Sequence, residues 1–233
     1  MELSLKNLYD NFRDGKTIQA YADLIAEEAK KLKKPIRIME VCGGHTHTIM
    51  KFGLPQLMPE NISFIHGPGC PVCIMPKERI DHAYTLAMRE DVILVTLGDM
   101  IKVPGSLGNL QDARAKGADV RFVYSPTECI KIATTNPDKK VIFFAIGFET
   151  TTPMTAAVMD IVVKKNIPNL FFHLNHVTIP EVMAELIDSR DEHVDSYNNQ
   201  IDAFLGPSHV SVISGSKIYD EMAYKYKIPV VVT

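Results

Sequence analysis

Cysteine is scarce in this chain, with four in 233 residues. That is too few for a small disulfide-stapled scaffold, and a chain of this length can build a core without one. No excess of positive charge is present either. Lys and Arg total 25 against 28 Asp and Glu, a net charge of -3, so no basic field favours nucleic acid or an anionic membrane. No apolar run approaches the length of a membrane span; the longest are strand-sized. The first residues, Met1-Glu2-Leu3-Ser4-Leu5-Lys6, lack the apolar stretch of a signal peptide, and together with free thiols this points to the cytoplasm. A Walker-type phosphate loop is missing, which argues against a nucleotide site. A second Cys-x-x-Cys, the usual complement of a structural zinc site, is missing too.

What the chain does have is an alternation of apolar runs and helical patterns. The strand candidates are 36–41, 62–65, 92–97, 120–124, 141–146, 170–172, 203–205 and 230–233. Helical periodicity fills most gaps between them. A first helix is expected over 17–33, with Thr17 as N-cap and Ile18, Tyr21, Ile25, Ala29 and Leu32 on its apolar stripe. Pro76 suits a helix N1, Gly117 a C′ position, and Ser125-Pro126 an N-cap followed by N1. This order predicts an α/β protein of parallel sheets flanked by helices.

A weak internal echo suggests two similar domains, 1–124 and 125–233. Residues 36–41 lead into Cys42-Gly43-Gly44-His45-Thr46, as 141–146 lead into Gly147-Phe148-Glu149-Thr150-Thr151. Likewise Phe64-Ile65-His66-Gly67-Pro68 is matched by Phe204-Leu205-Gly206-Pro207. Ligands of open parallel sheets bind beyond the carboxyl ends of strands. All the polar, glycine-rich clusters follow strand candidates, among them 173–176, so these loops are expected to line a central cleft.

Three of the four cysteines fall on two such turns. Cys70-Pro71-Val72-Cys73 brings two sulfurs within disulfide reach at a helix start, where a thiol pKa is lowered. It reads as a redox pair or half of a metal site. Cys42 begins a Cys-Gly-Gly-His turn whose glycines let a ligand approach the backbone, which makes it a candidate thiolate ligand or nucleophile. His45 is well placed to serve Cys42. A Cys₃His zinc set completed by His45 or His66 remains an alternative, as does a thiol-disulfide oxidoreductase with Cys70 as nucleophile. Glu149 and Thr150 are candidate proton handler and hydrogen-bond donor. His209, in Gly206-Pro207-Ser208-His209, draws attention because that turn echoes the Cys70 turn. Cys129 reads as helix packing.

Long strings of this sequence resemble one family. Glu-Val-Cys-Gly-Gly-His-Thr-His at 40–47 and Phe-Ile-His-Gly-Pro-Gly-Cys-Pro-Val-Cys at 64–73 are similar to HypD, the [NiFe]-hydrogenase maturation factors. So are Gly-Asp-Met-Ile-Lys-Val-Pro-Gly at 98–105, Gly-Phe-Glu-Thr-Thr at 147–151 and Gly-Pro-Ser-His-Val-Ser at 206–211. The resemblance implies a scaffold that works with the small chaperone HypC in building the Fe(CN)₂CO unit, with cyanide delivered by HypE from a thiocarboxamide that HypF helps make. It implies that Cys42 binds iron with His45 in support, and that Cys70 and Cys73 are redox thiols. Gly43, Gly44, Gly67, Pro68, Gly69, Glu149, Thr150 and His209 would line the site. Family members continue into a region whose four cysteines hold a [4Fe–4S] cluster. This sequence has no such set, and cluster binding is expected to be absent from it.

Overall fold

The computed structural model describes residues 13–189 and 200–233. Its strands form two four-stranded sheets, with every pairing parallel. The elements run α1 (Gly15–Ala29), β1 (Ile36–Glu40), α2 (Gly43–Lys51), β2 (Ile62–His66), α3 (Pro71–Ile74), α4 (Lys77–Ala87), β3 (Val92–Leu97), α5 (Leu110–Ala115), β4 (Val120–Val123) and α6 (Glu128–Thr135). There follow β5 (Lys140–Gly147), α7 (Thr152–Lys164), β6 (Leu170–His176), α8 (Ile179–Asp188), β7 (Ala203–Gly206), α9 (Ser208–Ser214), α10 (Asp220–Tyr224) and β8 (Val230–Val232). Among the described residues, no helix is long and apolar enough to cross a membrane.

All eight expected strands are present, but they are shared out differently from the expected halves. One sheet has the order β2-β1-β7-β8 and the other β4-β3-β5-β6. A cut at residue 125 would therefore divide both sheets, since β3 pairs with β5 and β1 with β7. The two compact units are instead discontinuous. Within the described residues, one takes 13–69, 186–189, 200–208 and 219–233, and the other 70–185 and 209–218. Parallel neighbours are joined by long crossovers, so adjacency in a sheet does not follow adjacency in the chain.

The second unit has a core on each side of its sheet. Alternation along β5 sends Val141, Phe143 and Ala145 to one face and Phe144 and Ile146 to the other. Helices α4 and α5 cover the Phe144 face with Ile80, Ala83, Tyr84, Leu110 and Ala113. Helices α6 and α7 cover the opposite face with Cys129, Ala133 and Val158. A strand buried on both faces has no solvated side, which is why β3 and β5 read as near-continuous apolar runs. In the first unit, Met39, Val41, Ile49, Phe204 and Met222 are buried around the other sheet.

Helix ends differ from expectation by one to four residues. Asp14, not Thr17, caps α1, its carboxylate accepting from the Thr17 amide at 2.9 Å. Only Ala22 and Ala29 of α1 are buried, whereas Ile18, Tyr21 and Ile25 remain exposed at its surface, and Leu32 is exposed past its end. Helix α6 starts at Glu128 rather than Pro126 because the Glu128 carboxylate reaches back to the Tyr124 and Ser125 amides. Pro76 is the N-cap of α4 rather than its first residue. Gly117 takes the expected position after α5, with φ +99°.

Candidate functional site

In the first unit, the expected site residues gather at the carboxyl end of the sheet. Strand β1 continues in extended form through Cys42 (φ -149°, ψ 123°), which caps α2 without a side-chain capping bond. The thiol is buried. Residues two apart in extended chain point to one face, so Glu40 and Cys42 share a face. Glu40 is fully buried, at 0% exposure. Its Oε2 accepts from the Cys42 amide at 3.0 Å. Its Oε1 accepts from the Thr46 hydroxyl and from His66 Nδ1, the latter at 2.8 Å. A carboxylate accepts only, so Nδ1 carries the proton.

The Gly67–Gly69 segment is stitched onto the same turn. Gly67 donates to the Glu40 carbonyl at 2.8 Å, and Gly43 donates to the Gly69 carbonyl at 3.0 Å. A Cβ at Gly67 would meet the Glu40 carbonyl oxygen at 2.7 Å, and one at Gly69 would meet Cys42 Cα at 2.8 Å. These two glycines are required by close approach of backbone to backbone. On the other side of β1, Val41 donates to the Leu205 carbonyl at 3.1 Å. The two Gly-Pro turns that echo each other in the sequence thus end β2 and β7, the strands that flank β1 in one sheet.

His45 lies on the first turn of α2, and its Nε2 meets the Thr233 carbonyl at 3.1 Å beyond β8. A carbonyl demands a donor, which leaves Nδ1 as an acceptor. That atom is buried and has no hydrogen-bond partner among the described residues.

In the second unit, Cys70 caps the short helix α3 and Cys73 lies within it. Both are free thiols, Cys73 exposed and Cys70 half-buried. The Cys70 sulfur, in hydrogen-bond contact, pushes the Cys73 thiol up, and partial burial adds to the effect. Between them Val72 packs on the core cluster that contains Phe144 and Ile146. Helix α3 therefore rests on β5, the strand that leads to Glu149. Glu149 Oε1 accepts from the Ile179 amide at 2.6 Å, capping α8, while Oε2 is buried with no partner among the described residues. Thr150 is exposed. His209 is exposed on α9. Cys129 is core, and burial pushes its thiol up to about 12.

His173 and His176 do not follow a strand, as expected, but lie inside β6. Asn175 between them is buried and accepts from Arg79 at 2.7 Å. Burial first, then the Arg79 charge, lowers the His173 pKa; burial alone lowers that of His176.

The family model HypD, described as the hydrogenase formation hypA family, matches residues 16–233. The chain belongs to the HypD family. It is similar to "Hydrogenase maturation factor HypD" of Escherichia coli K12, with 44% identity over 227 residues, 96% of this chain and 59% of that protein. The factor of the same name from Azotobacter vinelandii is 47% identical over 224 residues, 96% of this chain and 58% of its own. That from Cupriavidus necator is 42% identical over 225 residues, 96% and 59%. The chain thus spans less than three fifths of the length of these relatives.

Among the described residues of this HypD-family chain, no group of three or more His, Cys, Asp and Glu side chains is placed to hold a metal ion. Sequence reasoning gave no role to Glu40 and weighed His66 as an alternative zinc ligand. A signal was available: an acid two residues before a cysteine shares its face with that cysteine.

Proposed function

We propose that this chain acts in hydrogenase maturation, as a scaffold that works with HypC in building the Fe(CN)₂CO unit. In this reading Cys42 is the iron-binding thiolate and the iron unit is cargo, received and passed on. HypC supplies a further cysteine ligand, and HypE delivers cyanide. Soft thiolate suits iron that carries strong-field ligands. The observation that carries the reading is the Cys42 turn, in a chain of the HypD family. Cys42 follows a strand, caps a helix without using its thiol in the cap, and is flanked by Gly43, Gly44 and Gly69.

Cys70 and Cys73 serve as the thiol pair of the scaffold. Closing their disulfide releases two electrons and two protons. Their mutual contact and the exposure of Cys73 support this role, and they equally favour a second reading, a general thiol-disulfide oxidoreductase. His45, on the turn that follows Cys42, contributes its buried Nδ1 lone pair. Glu149 contributes its unpartnered oxygen, and Thr150 and His209 their exposed polar groups, to the handling of ligands and protons.

Co-purification with HypC, followed by iron analysis and infrared spectroscopy of CN and CO bands, tests the assignment. Wild type carries iron with these bands, and Cys42→Ala loses both. Equal iron in the two proteins would remove Cys42 from the ligand set. Activity on generic disulfides that survives Cys42→Ala, without iron in the complex, would favour the oxidoreductase.

A further inference from the structure

Glu40 is the one acidic or basic side chain among the described residues that is buried outright; the other buried polar residues, Thr96, Thr155 and Asn175, are neutral. A buried carboxylate is costly unless it is paired and hydrogen-bonded. All three of its donors come from the segments that build the Cys42 turn. They are the Cys42 amide, the Thr46 hydroxyl one turn into α2, and His66 at the end of β2. Glu40 and His66 are register partners on adjacent strands, so the carboxylate links β1, β2 and the start of α2 at one point.

We propose that Glu40 is a positioning residue for Cys42: its buried carboxylate fixes the Cys42 amide and the first turn of α2, and His66 holds that carboxylate from β2. Nothing else performs this task at the helix start by capping, since the Cys42 side chain makes no cap bond. The Cys42 amide donates to Glu40 Oε2 at 3.0 Å, a bond that needs Glu40 to present an acceptor. Thr46 and His66 occupy the other oxygen, so the carboxylate cannot rotate away without losing both. The backbone that carries the thiol is thereby held in place. What the positioning serves rests on the reading of Cys42 as an iron ligand; the positioning itself does not.

The test compares Glu40→Gln, His66→Leu and His66→Asn with wild type. Gln keeps the volume but turns one acceptor into a donor facing a donor. Leu removes the His66 bond. Asn keeps an N–H near the position of Nδ1, so it is the conservative rescue. The first readout is the rate of iodoacetamide modification of Cys42, followed by peptide mass spectrometry, with core Cys129 as internal reference. Glu40→Gln and His66→Leu are expected to raise the Cys42 rate by about fivefold or more, the loosening that losing one hydrogen bond allows. Cys129 stays silent and His66→Asn matches wild type. The second readout is the position and width of the CN and CO bands in the HypC complex, which shift or broaden in the same two variants.

Cys42 rates in Glu40→Gln and His66→Leu closer to wild type than that would overturn the proposal. So would a joint rise of Cys42 and Cys129, which reports general loosening, or a His66→Asn rate equal to that of His66→Leu. If Glu40→Gln does not fold, the His66 pair decides by the same criteria. Equal iron in wild type and Cys42→Ala would sink the iron reading while leaving the modification result to stand.

Discussion

Gly69→Ala tests how closely the Gly67–Gly69 segment is bound to the Cys42 turn. A Cβ there would lie against the Gly43 nitrogen, the Cys42 carbonyl carbon and Cys42 Cα. All three are backbone atoms, so no flexible side chain can swing aside. Gly69 is not among the residues in the left-handed region, and the penalty is therefore steric rather than conformational. Overpacking of this kind costs about 1–3 kcal/mol. Moving the strap also breaks the 3.0 Å bond from Gly43 to the Gly69 carbonyl, worth about 1 kcal/mol. The sum, about 2–4 kcal/mol, would lower the urea midpoint by roughly 1 M or more at an ordinary m-value. Gly98→Ala is the control: it follows a strand, has nothing within 4 Å of its Cβ, and should fall within about 0.5 kcal/mol of wild type. Urea unfolding followed by circular dichroism measures both. A Gly69→Ala midpoint equal to that of wild type, or equal losses in the two variants, would refute the close approach.

Two further outcomes follow from the titrating groups of the second unit. Because the Cys70 sulfur holds the Cys73 thiol up, Cys70→Ala should lower the Cys73 titration, as read from thiolate absorbance near the ultraviolet edge; an unchanged or higher midpoint would mean that the two sulfurs do not interact. Burial lowers the His173 and His176 pKa values below the ordinary 6.5, so the unfolded chain takes up these protons first as the pH falls. Stability should then decline as the pH drops below about 6.5. His173→Gln should flatten that decline in urea midpoints, and an equally steep decline in the variant would assign the effect elsewhere.

The eight strands were legible because parallel strands buried on both faces leave continuous apolar runs, as in Val92–Leu97 and Lys140–Gly147. Strand β6 was cut short at Phe172, since His173, Asn175 and His176 look like a polar turn. They remain in the strand because β5 pairs with them through Gly147 and Arg79 reaches in to Asn175. Sheet membership was not legible. The resemblance between the Gly67-Pro68 and Gly206-Pro207 turns suggested equivalent places in two halves. It marks instead two strands on either side of β1, a pairing decided by contacts far apart in the chain. Glu40 was passed over for a related reason. A lone acid at the end of an apolar run looks like the point where a strand meets solvent, and only tertiary packing shows that it meets Cys42, Thr46 and His66.

The two kinds of thiol in this chain have different surroundings, and these favour different chemistry. Cys70 and Cys73 face each other on one short helix, and the Cys70 sulfur raises the proton affinity of the Cys73 thiol. That arrangement suits electrons moving in and out of a disulfide. Cys42 is buried, set at the end of a strand, and held through its amide by Glu40 and through its neighbour's amide by Gly69. A thiol held this way is suited to bind rather than to exchange. One thiolate is a weak host for iron, because lasting sites use several ligands. A scaffold built on Cys42 therefore requires the remaining ligands to arrive with the cargo or on a partner. It follows that iron retention by the HypC complex should exceed that of the isolated chain, and that the excess should vanish with Cys42→Ala but not with Cys70→Ala. An oxidoreductase predicts no such iron, and disulfide activity that is lost with Cys70→Ala but survives Cys42→Ala, which makes the pair of variants the sharper discriminator between the two readings.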